Sequence, residues 1–251
     1  MQSIIKYLSH GKNYSQATHT KQEELEIILT NWVSYQKKHN YKKVIYTDLN
    51  AGSCWWPNGA EGSPIISTRV FDKAKISYKS FFCEKSKKSR RMLLNYLSFL
   101  NQKCNFGGSV QFLCKNNQNA SDYLKQLLDK DISNPHIVYY DPPGILSYSI
   151  VKQLTELFAR TDILIRVSSR AEKRVRAWLS SYQLPFNFLK KLKQHWFISK
   201  PELPGGWCFL FGTNSDIKLG DFMYDIKSDK GRICFGYVSQ YKADKKLLDY
   251  V

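Results

Sequence analysis

The chain has 251 residues, of which 43% are hydrophobic and 14% aromatic, and its 38 basic and 21 acidic residues give a net charge of +17. This composition excludes a disordered chain, and no stretch approaches the ~18 uninterrupted apolar residues of a membrane span. The excess positive charge favours a polyanionic partner, DNA or RNA, although a lysine-rich genome would raise the same count without one.

The N-terminal segment, residues 1–19, is polar and is predicted to form an arm with a turn at His10-Gly11-Lys12-Asn13. It lacks the apolar core of a signal peptide, so we expect a cytoplasmic protein. The first helix is predicted to begin at Thr20, because Thr20 and Glu23 form a capping box. Apolar residues then recur every three or four positions, as on the buried face of a helix: Leu25, Ile28, Leu29, Trp32 and Val33.

Strands and helices alternate from residue 43 to residue 181. The apolar runs and the helical stripes between them predict strands 43–48, 78–84, 109–114, 137–141 and 162–168, and helices 63–73, 86–102, 120–129, 147–160 and 170–181. Alternation at this spacing predicts a parallel sheet with helices on both faces, which is the doubly wound α/β class.

Polar side chains end three of these strands in an order that suits a nucleoside ligand. The first strand ends in Asp48 and runs into a turn at Gly52, where the missing side chain lets the backbone approach a ligand. The second ends in Glu84, an acid placed to accept hydrogen bonds from both hydroxyls of a ribose. The third leads to Asn116 and Asn117, and a role at an adenine edge and a simple loop role fit either asparagine equally well.

The fourth strand ends in Asp141-Pro142-Pro143-Gly144. Two successive prolines cannot donate the hydrogen bonds of a strand ladder, so the strand must stop there. The Asp141 carboxylate and the proline carbonyls then face the crevice above the sheet, where ligands bind in open α/β folds. A turn that only terminates the strand explains the tetrapeptide equally well by itself.

The alternation breaks near the end of the chain. Residues 196–199 and 207–212 predict an antiparallel hairpin, and after Asn214 a short helix-containing tail and a second hairpin both fit. We therefore predict an N-terminal arm over residues 1–19, a doubly wound domain over 20–214, and a C-terminal extension over 215–251 packed on the same domain.

The cysteines and histidines form no recognisable metal site. No Cys-x-x-Cys occurs, and no cysteine pairs with a histidine at metal-ligand spacing. The sequence therefore predicts six reduced thiols and no bound metal. The six cysteines are Cys54, Cys83, Cys104, Cys114, Cys208 and Cys234.

Basic residues cluster directly after two of the predicted strands. Because those strand ends lie at the predicted ligand edge, the clusters fall where the phosphates of a nucleic acid would pass. The first follows the second strand: Lys85, Lys87, Lys88, Arg90 and Arg91. The other belongs to the fifth strand and the helix after it: Arg166, Arg170, Lys173, Arg174 and Arg176.

Together these motifs resemble a class I S-adenosylmethionine-dependent methyltransferase. More narrowly, the chain is similar to the three-Cys-motif partner family of phage and bacterial methyltransferase-like proteins. The resemblance spans residues 17–240 and rests on seven segments: His19–Lys21, Asp48–Ser53, Glu61–Ile66, Phe82–Lys85, Asp141–Gly144, Trp207–Gly212 and Asp229–Arg232. It implies a Rossmann-like, seven-stranded methyltransferase sheet with a C-terminal antiparallel hairpin, S-adenosylmethionine as the cofactor, and nucleic acid as the substrate.

The resemblance also implies four cofactor-binding residues. Asp48 would anchor the amino group of the methionine moiety, and Gly52 would admit it. Glu84 would hold the ribose, and Asn116 would meet the adenine edge. The alternative for the two acids is that each only caps the helix that follows its strand.

For the substrate, the resemblance implies a catalytic loop formed by Asp141, Pro142 and Pro143. The Asp141 carboxylate and the Pro142 carbonyl would hold a target amine. Gly144 stands where an aromatic residue normally stacks on a flipped base, and Lys12 would touch cofactor or substrate, or lie in solvent. Three aromatic residues are left to supply the stacking, if they do not simply cover the core: Tyr148, Trp55 and Trp56.

Two functions remain open. The first is methyl transfer to an exocyclic base amine of DNA or RNA, with adenine N6 favoured. The second is a catalytically silent, methyltransferase-like subunit that binds nucleic acid. Gly144 favours the second, whereas Asp48 and Glu84 favour the first, because a silent subunit needs neither acid. The charge disfavours a third function, methylation of proteins or small molecules.

Overall fold

The computed structural model describes most of the chain. The described residues are 16–55, 59–116, 119–127, 133–141, 148–157, 160–168, 171–181, 183, 189–200 and 207–236.

Strands and helices alternate through most of the described part. The strands are β1 Lys43–Asp48, β2 Ser77–Cys83, β3 Ser109–Cys114, β4 His136–Tyr140, β5 Thr161–Ser168, β6 His195–Ser199, β7 Trp207–Thr213 and β8 Met223–Asp225. The helices are α1 Gln16–Lys38, α2 Ser63–Lys73, α3 Lys87–Lys103, α4 Ala120–Leu127, α5 Tyr148–Leu157, α6 Ala171–Ser180, α7 Leu189–Leu192 and α8 Asp229–Gly236.

All these strands form one sheet in the order β3-β2-β1-β4-β5-β7-β6-β8. Strands β1 to β5 are parallel, whereas β7 is antiparallel to both β5 and β6, and β8 is antiparallel to β6. This confirms the predicted mixed α/β class with antiparallel C-terminal strands. The predicted count of seven strands is wrong, because β8 adds an eighth strand at the edge beside β6.

After Asn214 the described residues form a short strand and then a helix, so they match the helix-containing tail and not the second hairpin. Strand β8 spans only three residues, which is too short to show an alternating pattern in sequence. Helix α8 follows it and packs against β6, β8 and α6. The division into arm, domain and extension stays a prediction, and residues 1–15 and 237–251 lie outside the described part.

Helix α1 begins four residues before its predicted start at Thr20, so that prediction is wrong. Gln16 and Ala17 are good helix formers, and the capping-box residues are tolerated within a helix. The predicted apolar stripe of α1 is buried, as expected. It packs with Tyr46, Tyr139 and Phe209 on one face of the sheet.

A buried hydrogen bond and a surface ion network hold α1 in place. The Trp32 indole N–H donates to Asp162 Oδ2 at 2.7 Å. Near the first turns of α1, the Arg69 guanidinium of α2 contacts both Glu26 and Glu61. The Trp32 bond holds the second half of α1 near the amino end of β5, whereas the Arg69 network ties Glu26 of α1 to α2.

The direction of the sheet connections reverses between β1 and β4. The chain runs outward from β1 through β2 to β3, then returns to place β4 on the other side of β1. Ligands of doubly wound folds bind at such a switch point, outside the carboxyl ends of the strands. Within the described part, no helix is long and apolar enough to cross a membrane.

Candidate functional site

A cavity of about 350 Å³ opens at the switch point, beneath the N-terminal turns of α1. Its walls come from α1, the turn after β1, the starts of α2 and α3, and the end of β4. The lining residues are Lys21, Gln22, Leu25, Asn50, Ala51, Gly52, Ser53, Cys54, Trp55, Gly62, Ser63, Ser89 and Asp141.

Gly52 forms the turn that leads from β1 into the cavity wall. Its φ of +69° lies in the left-handed region that favours glycine. A Cβ placed at Gly52 would meet no heavy atom within 4 Å, so any larger side chain would project into open space. The backbone of this turn is therefore directly accessible from the cavity.

Glu84 braces this turn from the end of β2. Its Oε2 accepts a hydrogen bond from the Gly52 N–H at 2.8 Å, and its Oε1 accepts one from the Ser86 N–H at 2.7 Å. Glu84 lies behind the turn and is not among the residues that line the cavity. Each carboxylate oxygen can accept a second hydrogen bond, so the predicted ribose contact remains chemically open.

Asp48 is fully buried at the end of β1 and is also absent from the cavity wall. Its Oδ1 accepts a hydrogen bond from the Asn50 N–H at 2.9 Å, which shapes the turn after β1. Burial raises the pKa of Asp48 to about 7, against the opposing effects of the Ser63 hydroxyl, the Asn50 N–H and the Lys21 charge. Asp48 therefore changes its charge near neutral pH.

This pKa predicts a pH-dependent stability difference between the protein and its Asp48→Asn variant. The unfolded pKa is about 3.9, so the native state holds an extra proton between about pH 4 and 7, and stability is lost as pH rises through that window. We expect the variant to gain on the order of 2–4 kcal/mol of unfolding free energy at pH 8 and almost none at pH 4.

Urea unfolding of both proteins across pH 4–8 measures this difference. Burial raises the pKa of Asp162 to about 6, but Asp162 titrates in both proteins and cancels in the comparison. A difference that does not change with pH would show that Asp48 is ionised throughout the range.

Asp141 stands at the cavity mouth between two cations. Its Oδ2 forms an ion pair with Lys21 Nζ of α1 and lies 3.7 Å from the Arg166 guanidinium of β5. All three side chains are mostly buried, with exposed fractions of 14–17%. Removing one partner of a buried ion pair strongly destabilises a protein, because the other charge is left unpaired. The two contacts of Asp141 therefore give this cluster a defined geometry.

The Asn50 side chain places a buried acceptor in the wall of the cavity. Within the described part of the chain, its buried Oδ1 has no hydrogen-bond partner. A buried carbonyl oxygen without a donor is costly, so it calls for a ligand N–H or an ordered water. Because this oxygen is itself buried, a ligand N–H would reach it only if the Asn50 side chain turned toward the cavity.

The predicted site residues fall into three groups. Gly52, Trp55 and Asp141 line the cavity, whereas Asp48 and Glu84 lie behind its wall. Asn116 is not a lining residue; its backbone carbonyl accepts a hydrogen bond from the Cys114 thiol at 3.1 Å. Tyr148 begins α5, but its side chain is outside the described part. The remaining candidates also lie outside it: Lys12, Trp56, Asn117, Pro142, Pro143 and Gly144.

Sequence reasoning gave no role to several residues of this site. Lys21 follows the His19-Thr20 pair of the family-like motif, so its motif position was a usable signal. Asn50 lies in the motif Asp48–Ser53, so its position was a usable signal in the same way. Gln22 and Ser89 carried no signal, since nothing in sequence brings α1 and α3 to one cavity.

No metal site accompanies the cavity in the described residues. No group of three or more His, Cys, Asp or Glu side chains among them could hold a metal ion.

Comparisons with known proteins give little further identification. No family model and no curated protein matches the chain. Among solved structures, it is similar to the methyltransferase domain of bacterial CtHen1-CN, with 12% sequence identity and a TM-score of 0.43. The match covers 75% of this chain and 98% of that one. A similarity of this size carries no conclusion about activity, and the three-Cys-motif partner resemblance stays a hypothesis based on sequence motifs.

Proposed function

We propose that the chain is an S-adenosylmethionine-dependent methyltransferase that acts on nucleic acid. The observation that carries this proposal is the cavity at the β1/β4 switch point, with Gly52 backbone on one side and Asp141 on the other. The order of the first seven strands, with a reversed β7, supports the same class. The motif resemblance to the three-Cys-motif partner family supports it independently.

The residues behind and around the cavity have distinct proposed roles. Asp48 would attract the amino group of the cofactor from behind the cavity wall, because its carboxyl accepts a hydrogen bond from the N–H of Asn50, which lines the cavity. Glu84 would turn toward the ribose while it braces Gly52. When bound, S-adenosylmethionine supplies an electrophilic methyl group on a positively charged sulfur. We propose that Asn116 meets the adenine edge.

Asp141 is the proposed acceptor for the target amine. Both of its ion pairs use Oδ2, so an incoming amine would meet Oδ1. A hydrogen bond there would aim the nitrogen lone pair at the methyl group, and positioning of this kind dominates an in-line displacement. The new nitrogen–carbon bond would form as the methyl–sulfur bond breaks and leaves a neutral thioether, and the proton that the methylated amine sheds would pass to solvent. Pro142 and Pro143 belong to the proposed loop, and adenine N6 is the first amine to test.

A silent nucleic-acid-binding subunit is the second candidate function. The observation that favours it is the engagement of Asp141 by Lys21 and Arg166, which resembles a structural ion cluster. In that case Asp141 would fix α1 to the sheet and take no part in chemistry. Cofactor binding separates the two candidates, because only the first needs it.

We expect calorimetry to show saturable binding of S-adenosylmethionine or S-adenosylhomocysteine. Hydrogen bonds to a charged group contribute about 1.5–3 kcal/mol, so loss of the proposed ribose contact in Glu84→Ala should weaken binding by at least about tenfold. Asp48→Ala should weaken it as well, because it removes the charge and the acceptor that shapes the turn after β1. Glu156→Ala is a matched control, because Glu156 is an exposed acid on α5 and does not line the cavity. Absence of binding would overturn the proposed function. Unchanged affinity in both variants would overturn the assignment of these acids.

A further inference from the structure

Trp207 is a large aromatic side chain exposed at the carboxyl edge of the sheet. It is the first residue of β7 and is 41% exposed, whereas the other six residues of the strand are buried. An indole that stays exposed does not gain the stabilisation that burial of its apolar surface would give. Tryptophan in such a place is typical of a surface that contacts a ligand or partner.

One face of the Trp207 ring is already covered by a cation. The Arg166 guanidinium lies 4.6 Å from the ring centroid. Strand pairing explains the contact: Arg166 of β5 pairs with Phe209 of β7, so Trp207, two residues earlier, lies on the same face of the sheet. The exposed area of Trp207 therefore lies on the opposite face of the ring and on its edges.

Arg166 connects Trp207 to the proposed acceptor site. The same guanidinium lies 3.7 Å from Asp141 Oδ2. Asp141, Arg166 and Trp207 thus form a continuous row from the end of β4, across β5, to the start of β7. Because Arg166 lies between Asp141 and the Trp207 ring, a planar group stacked on the open face of Trp207 would be separated from Asp141 by the ring and the guanidinium.

We propose that Trp207 is the stacking platform for a base next to the acceptor base in the strand, with Arg166 holding the ring in place from behind. This inference rests on the proposed function and names the residue that positions its substrate. Aromatic side chains bind unstacked bases through their π-faces, and every base has one. Arg166 is mostly buried and already contacts Asp141, so it supports the ring and does not meet the phosphates of the strand.

The test measures binding of a single-stranded adenine oligonucleotide to the full chain saturated with S-adenosylhomocysteine. A matched oligonucleotide with abasic positions presents the phosphates without the bases. Stacking contributes about 1–3 kcal/mol per base, so Trp207→Ala should weaken binding of the first oligonucleotide by about 5- to 160-fold. Binding of the abasic oligonucleotide should change less than about twofold, and Trp207→Phe should recover most of the lost affinity.

Tyr123→Ala is the matched control, because Tyr123 is an exposed aromatic residue on α4 with an exposed fraction of 44%. Cofactor affinity, measured in parallel, reports whether each variant is folded. Normal cofactor binding together with equal losses on both oligonucleotides, or with no loss in Trp207→Ala, would overturn this inference alone. Failure of the parent chain to bind cofactor would instead overturn the proposed function.

Discussion

Replacing Asp141 by alanine is expected to reduce methyl transfer to a single-stranded oligonucleotide by at least about 100-fold, because small errors in the position of reacting groups cost that much. Cofactor affinity should change little, since Asp141 faces the cavity mouth and the proposed cofactor contacts lie around Gly52 and Glu84. Transfer of a tritiated methyl group, followed by mass spectrometry of the nucleosides, measures both the rate and the base that is modified.

Two further variants separate chemistry from folding. Asp141→Asn keeps the size of the side chain and an acceptor oxygen but loses the charge that pairs with Lys21 and Arg166. Removing one partner of a mostly buried pair is destabilising, so each variant needs a thermal unfolding curve beside its rate. Glu156→Ala should retain full transfer. Full transfer by a folded Asp141→Ala protein would show that another group holds the amine.

The rate of methyl transfer is expected to depend on whether the substrate is single-stranded or duplex. A base amine cannot reach a buried methyl donor while it is stacked in a duplex, and flipping it out costs a few kcal/mol. We therefore expect single-stranded substrate to react faster than matched duplex. Equal rates on both substrates would show that the chain offsets the cost of flipping without the aromatic residue missing at Gly144.

Strand and helix positions were readable from the sequence because buried parallel strands and amphipathic helices have different periods. Strand β1 was predicted over residues 43–48 and spans Lys43–Asp48, and α3 was predicted over 86–102 and spans Lys87–Lys103. The two wrong predictions, the start of α1 and the number of strands, fall where the hydrophobic period gives no signal. The start of α1 carries helix formers on both sides of the capping box, and β8 is too short to alternate.

The site was readable only in part, because a strand end fixes where a residue lies but not what its side chain faces. Asp48, Glu84 and Asp141 all end strands at one edge, as predicted. Only Asp141 lines the cavity, whereas Asp48 is fully buried and Glu84 accepts a hydrogen bond from the Gly52 N–H. The Lys21 contact joins residues 120 positions apart. No local pattern predicts a meeting of that kind.

The structure places the basic cluster that follows β2 at the start of α3, beside the cavity. Residues Lys85, Lys87, Lys88 and Arg91 are exposed at the start of α3, next to Ser89 of the cavity wall. Arg90 is engaged with the backbone carbonyls of Glu84 and Lys85. Arg166 belongs to the Asp141 cluster and is mostly buried. Phosphates that pass the cavity mouth would therefore meet the α3 cluster first.

Nucleic-acid binding is accordingly expected to fall steeply with salt. Each phosphate contact on a single strand adds about −0.7 to the slope of log K against log salt, so the four exposed cations of the α3 cluster supply about −2.8. That slope corresponds to about a 50-fold loss of affinity between 50 and 200 mM salt. Fluorescence anisotropy with a labelled oligonucleotide at several salt concentrations measures the slope.

Two fourfold variants locate the contacts responsible for this slope. Replacing the exposed cations of the α3 cluster by glutamine should reduce its magnitude by about 2.8. The matched control replaces four exposed lysines near the opposite, amino-terminal edge of the sheet and lowers the net charge by the same amount: Lys38, Lys42, Lys73 and Lys75.

If the control lowers the slope as much as the α3 variant, the attraction comes from the total charge of +17 and no groove is involved. A slope near zero in the parent chain would contradict nucleic-acid binding itself. A loss confined to the α3 variant would instead place the path of the strand along α3 and toward Asp141 of the cavity wall.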